Sequence, residues 1–145
     1  MNQRLRVKKW ANVAVVLMMA ILVLGGCASS KKSMSLTDTL AAYGNAVRWE
    51  DFPSAARFLD PKVAAEISEL DLERYRQLKV SSYTEQQINP DRDEETVRQT
   101  VEIGIVNRHT GVERRVIDRQ VWRWEEATER WLLMSGLPDV TQERY

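Results

Sequence analysis

The 145-residue chain contains one cysteine, Cys27, and one histidine, His109. A single thiol excludes an intrachain disulfide, a cysteine-cluster zinc site and a CxxC redox pair. A single imidazole excludes a histidine-rich metal site. Apolar runs are short as well. The longest, "VAVVLMMAILVL", covers Val13 to Leu24, well under the ~20 residues that cross a bilayer. The first 26 residues hold no acid, although Arg4, Arg6, Lys8 and Lys9 lie there. Subtracting those four from 21 basic side chains leaves 17 against 21 acidic ones. The remainder is therefore mildly acidic, which argues against nucleic acid as a partner, because duplex affinity rests on neutralising phosphates.

What the N-terminus does contain is ordered. "MNQRLRVKK" is a basic n-region, and the apolar run has the length of a signal-peptide h-region. Then come Leu24, Gly25, Gly26 and Cys27. These four residues in this setting resemble the bacterial lipobox. The resemblance implies cleavage between Gly26 and Cys27 and no cofactor beyond covalent lipid on Cys27, a diacylglyceryl thioether plus an N-acyl chain. Two or more chains hold a protein stably on a membrane, at roughly 0.8 kcal/mol per buried methylene. The competing reading is an uncut anchor with a cysteine near its outer end. Ala28 follows the cysteine, where Asp would imply inner-membrane retention. The expected address is thus the outer membrane, periplasmic face, with Ser29 and Ser30 leaving inner-membrane retention open. The expected organisation is a signal peptide over 1–26, the lipidated cysteine and a flexible tether over 27–34, and one domain over 35–145.

The domain divides into a helical and a strand half. Ser35 and Asp38 have capping-box spacing. Leu36, Leu40, Tyr43 and Val47 recur on one helical face, which predicts a helix to about Arg48. Asp51 before Pro53, and Asp60 before Pro61, each predict an N-cap with proline in the first turn. The second helix should bury Ala55, Ala56, Phe58 and Leu59. The third, "PKVAAEISEL", should bury Val63 and Ile67. A turn is expected near Asp71 to Arg74, and a strand from about Tyr75. "INPDRDEET" reads as a turn. Val97, Val101, Ile103 and Ile105 then alternate with Arg98, Thr100 and Glu102, and Gln99 interrupts the apolar face. Asn107 to Gly111 is the next turn, Val112 to Glu125 a long strand, and "RWLLMSGLP" the last. Short turns make the strands an antiparallel meander. Helices first and sheet second give an α+β class: two to three N-terminal helices on a curved four-stranded meander.

"LAAYGNAVRWEDFPSAARFLDP" and "RQVWRWEEATERWLLMSGLP" carry a second resemblance, to the cystatin-like or nuclear-transport-factor-2-like superfamily, over about residues 35 to 138. The resemblance implies a cone, used by some members for ligands or catalysis through an Asp–His pair or a polar dyad. His109 lies in the turn "NRHTG", far from any cone. Serines have no base partner and Cys27 is taken by lipid, so no catalytic residue and no metal site is assigned. "DRDEE" reads as a solvated acidic turn, since it lacks the spacing and glycine of a calcium loop. The expected activity is a non-enzymatic accessory or interaction module that binds another envelope protein. The alternative is a ligand-binding, or less readily catalytic, cone. Its pocket or patch would use Trp49, Trp122, Trp124, Trp131, Tyr83 and Gln99, with Asp118 as a further inward polar group. Arg115, Arg119 and Arg123 form a stripe that could meet an acidic partner or lipid phosphates.

Overall fold

The computed structural model describes residues 31–92 and 95–140. Among the described residues, 31–36 and those from Thr37 onward belong to two separate units. In the first unit, residues 31–36 are helical. Residues 31–34, expected in the tether, are thus helical where they are described. Lys31, Lys32, Ser33 and Met34 include neither glycine nor proline to interrupt a helix. The signal segment, Gly26 and Cys27 lie outside the described residues.

The second unit opens with α1, residues 37–48. Leu40, Tyr43 and Val47 are buried on one face, at helical spacing. Glu50 ends the turn that follows with φ at 63°, a left-handed conformation that costs a non-glycine residue about 1 kcal/mol. Two contacts hold it there. Glu50 Oε1 accepts from Val80 N at 3.0 Å, and its second oxygen pairs with Arg108.

Next come α2 (Phe52–Ala55), a 3-10 turn (Ala56–Phe58), α3 (Pro61–Ala64) and α4 (Glu69–Arg76). Both proline-led caps form as expected. Asp51 accepts from Ser54 N at 3.1 Å, and Asp60 from Lys62 N at 2.9 Å. Helix α3 is shorter than expected, and Val63 and Ile67 are only half-buried. The expected turn over Asp71 to Arg74 is instead helical. Ser68 and Asp71 form a capping box, with Asp71 N donating to Ser68 Oγ at 3.2 Å and Ser68 N to Asp71 Oδ2 at 3.1 Å. That box starts α4 and delays the strand by about three residues.

Four strands follow: β1 (Leu78–Pro90), β2 (Thr96–Asn107), β3 (Glu113–Glu125) and β4 (Arg130–Leu133). They pair antiparallel in chain order. Strand β1 therefore extends through Ile88 and Pro90, which the sequence places in a turn. Register shifts interrupt β1 between Val80 and Ser82 and between Glu85 and Gln87. Such bulges bend a strand and increase its twist. The last strand is shorter than expected. After Leu133 the chain turns back over α4, where Tyr75 Oη donates to the Pro138 carbonyl at 2.8 Å.

The helices cover one face of the sheet. Tyr43 of α1 meets Trp122 of β3 edge-on at 5.2 Å, and Phe52 of α2 stacks on Tyr75 at 4.3 Å. Leu59 forms a parallel bridge with Leu133, and Asp60 N donates to Leu133 O at 3.0 Å. The result is an α+β architecture with helices packed on a four-stranded antiparallel sheet.

Candidate functional site

Strand periodicity decides which side chains face the helices. On β2 these are Val97, Gln99, Val101, Ile103 and Ile105; on β3 they are Val116, Asp118, Gln120 and Trp122. Register then builds rows across the sheet. Tyr83 lies opposite Ile103, and Ile103 opposite Val116. Val101 is opposite Asp118, Gln99 opposite Gln120, and Val97 opposite Trp122. A patch of polar side chains thus interrupts an apolar face, with Trp122 at one end.

Three hydrogen bonds connect the patch. Gln120 Nε2 donates to Asp118 Oδ2 at 2.7 Å and to Tyr83 Oη at 3.2 Å. Trp122 Nε1 donates to Gln120 Oε1 at 3.0 Å. Burial pushes the Asp118 carboxyl up to about 6, against a smaller opposite pull from the Gln120 hydrogen bond. Tyr83 is raised to about 12, chiefly by burial. Tyr43 rises well above the usual tyrosine value through burial, with the Asp118 charge adding to it.

Three atoms stand outside this network. Tyr43 Oη and both amide atoms of Gln99 are buried without a hydrogen-bond partner. An unpaired buried polar group costs about 1–3 kcal/mol. Nearly all buried polar groups in folded proteins are paired, so the three exceptions call for an explanation. Chemically the patch can accept and donate hydrogen bonds, and it holds one carboxyl whose ionisation falls near neutrality. It offers no nucleophile beside a base. His109 is exposed in the β2–β3 turn, its backbone N held by Asn107 Oδ1 at 2.9 Å.

The residues singled out in the sequence do not gather in one place. Tyr83 and Gln99 belong to the inner polar patch, as does Asp118. Trp122 is fully buried beside Tyr43 and Phe58. Trp124 and Trp131 pair across the β3–β4 hairpin, ring centroids 5.6 Å apart. Trp49 stands apart in the turn after α1, 78% exposed. Sequence reasoning missed Gln120 and Tyr43. Gln120 had a signal, since it lies two residues from Asp118 and from Trp122 on one strand face.

The opposite face of β3 presents Arg115, Ile117, Arg119 and Arg123 to solvent. Carboxylates temper much of this charge. Arg115 lies 3.5 Å from Glu102, Arg123 3.5 Å from Asp60, and Arg98 of β2 3.1 Å from Asp91. Among the described residues, no group of three or more His, Cys, Asp or Glu side chains is placed to hold a metal ion. Among them, too, no helix is long and apolar enough to cross a membrane.

No family profile and no curated protein sequence matches the chain. Among solved structures, the chain is similar to a SEC-C motif containing protein from Rhodopseudomonas palustris. The TM-score is 0.51 at 14% identity, over 68% of this chain and 71% of that one. Likeness at that identity concerns the fold alone.

Proposed function

We propose that the protein is a lipoprotein anchored in the outer membrane through Cys27, and that its α+β domain is a non-enzymatic interaction module facing the periplasm. The observation that carries the address is the run from basic n-region through Val13–Leu24 to Leu24-Gly25-Gly26-Cys27. The shape of the domain supports an interaction role. One sheet face is packed by helices, and the other leaves Arg115, Ile117, Arg119 and Arg123 open to an envelope partner. The four-stranded meander after short helices, with bulges in β1, also supports placing the domain in the cystatin-like or nuclear-transport-factor-2-like superfamily. Fractionation and labelling with a palmitate analogue test the anchor. The wild type should take label and follow the outer membrane. A Cys27→Ala chain that still takes label there would refute it. Crosslinking in intact cells tests the partner: a captured envelope protein lost on Arg119→Glu supports the module.

A second reading rests on Gln99 and Tyr43. Their unpartnered atoms favour a small polar ligand at the inner patch, in the manner of a binding cone. If so, Gln99→Met should abolish ligand binding while leaving the sheet folded.

A further inference from the structure

We propose that the cleft at the start of β3 binds a small organic anion, a carboxylate or phosphate carrying a short apolar body. The cleft is separate from the inner polar patch, and the inference stands apart from the lipoprotein reading. It lies where α4 passes into β1, beside the β2–β3 turn and under the returning C-terminal segment. Its volume is about 470 Å³, within the roughly 300–1,000 Å³ typical of ligand sites. Among the described residues its lining includes two arginines, Arg74 and Arg114, and no carboxylate. That is unusual in a domain whose acids outnumber its bases.

Arg114 is the centre of the argument. It shares the inner-facing parity of Val116 and Asp118 and lies opposite Ile105. The guanidinium is half-buried and donates to the Val140 carbonyl. Among the described residues it has no carboxylate partner. A guanidinium offers five N–H donors in a fork suited to carboxylate and phosphate, so among the described residues most of its capacity is unused.

Arg74 faces the same space from α4. It pairs with Asp71 at 3.3 Å, but both side chains are largely exposed, and such a pair is worth at most about 1 kcal/mol. A ligand anion can therefore recruit it. Asn107 adds a neutral donor. Its Oδ1 already accepts from His109 N and Thr110 N, at 2.9 and 3.1 Å, which leaves its amide nitrogen to donate. Buried Leu78 and Val140 supply the apolar wall.

A neighbouring cleft of about 420 Å³ also includes Arg74, yet adds Glu66, Asp71 and Asp139. Those acids repel an anion, so the two clefts should discriminate by charge.

The test is an amide chemical-shift titration of the full chain in detergent micelles with hexanoate, butyl phosphate and the neutral hexanamide. Hexanoate or butyl phosphate should saturate below about 10 mM, and hexanamide should bind at least about tenfold more weakly. The shifts should centre on residues 74–78 and 107–114. Arg114→Gln and Arg74→Gln should each weaken binding about tenfold, with Arg119→Gln unchanged. Arg74→Gln keeps the test valid if loss of the Val140 contact unfolds the Arg114 variant. Failure to saturate, equal binding of hexanamide, indifference to Arg74→Gln, or an equal loss in Arg119→Gln would overturn the proposal.

Discussion

The side-chain amide nitrogen of Gln120 sits 2.7 Å from Oδ2 of Asp118, two residues back on the same face of β3. This bond favours the ionised carboxyl, but burial outweighs it and the balance lifts Asp118 to about 6. The folded chain therefore holds a proton that the unfolded chain, at its ordinary value near 3.8, releases. Protonation favours the fold, so stability should fall as pH rises from about 4 to 6 and then level off. The difference corresponds to about 3 kcal/mol. Asp118→Asn should flatten this part of the curve and raise stability at pH 7. Urea midpoints measured from pH 4 to 8 for both proteins check it, and an unchanged slope in the variant would count against it.

Gln99 carries the opposite kind of cost. Replacing it with methionine keeps the volume and removes two unpartnered polar atoms. The expected gain is about 1–3 kcal/mol. Thermal unfolding of Gln99→Met without added ligand reads it directly, and a lower midpoint would mean that Gln99 is paired in solution.

Two tryptophans separate packing from exposure. Trp122 is fully buried, so Trp122→Ala should cost about 3–5 kcal/mol. Trp49 is 78% exposed, and Trp49→Ala should stay within about 0.5 kcal/mol of the wild type. Chemical denaturation of the pair suffices. If Trp49→Ala alone weakens partner capture in cells, that turn belongs to the interface.

Gly44 shows how closely α1 approaches the sheet. A Cβ there would lie 2.9 Å from Tyr83 Cε1, tighter than a real contact allows. Alanine gains about 1 kcal/mol of helix propensity over glycine, while overpacking costs about 1–3 kcal/mol. Gly44→Ala should therefore be neutral to about 2 kcal/mol destabilised. It should also displace the Tyr83 ring from Gln120, visible as a shift of the Gln120 side-chain amide resonances. A stabilised variant with those resonances unmoved would show that α1 sits further from β1.

How much of this was readable in advance depended on which force set each element. The alternation on β2 was legible because burial imposes a period of two, and Gln99 stood out as its single polar break. The proline-led caps at Asp51 and Asp60 were legible because a local side-chain bond and a fixed φ act within three residues. Helix α4 was not, although Ser68 and Asp71 carried its capping signal, because "YRQLKV" also suits a strand. The isolation of Tyr43 Oη depends on how α1 lands on the sheet, which spacing alone does not reveal. Arg114 shares its parity with Val116, but the cleft beside it depends on where Val140 returns to β3, which no sequence spacing encodes.

The bridge between Leu59 and Leu133 bears on the order in which the chain can assemble. Every strand pairs with its neighbour in sequence, so the meander can grow one hairpin at a time. The link from the 3-10 turn and Asp60 to the sheet waits for the last strand. A chain stopped before residue 130 would have most of its sheet but no β4 to receive Leu59, with the free edge of β3 open to association. That link is long-range, whereas the other sheet pairings are local, and non-local contacts form more slowly.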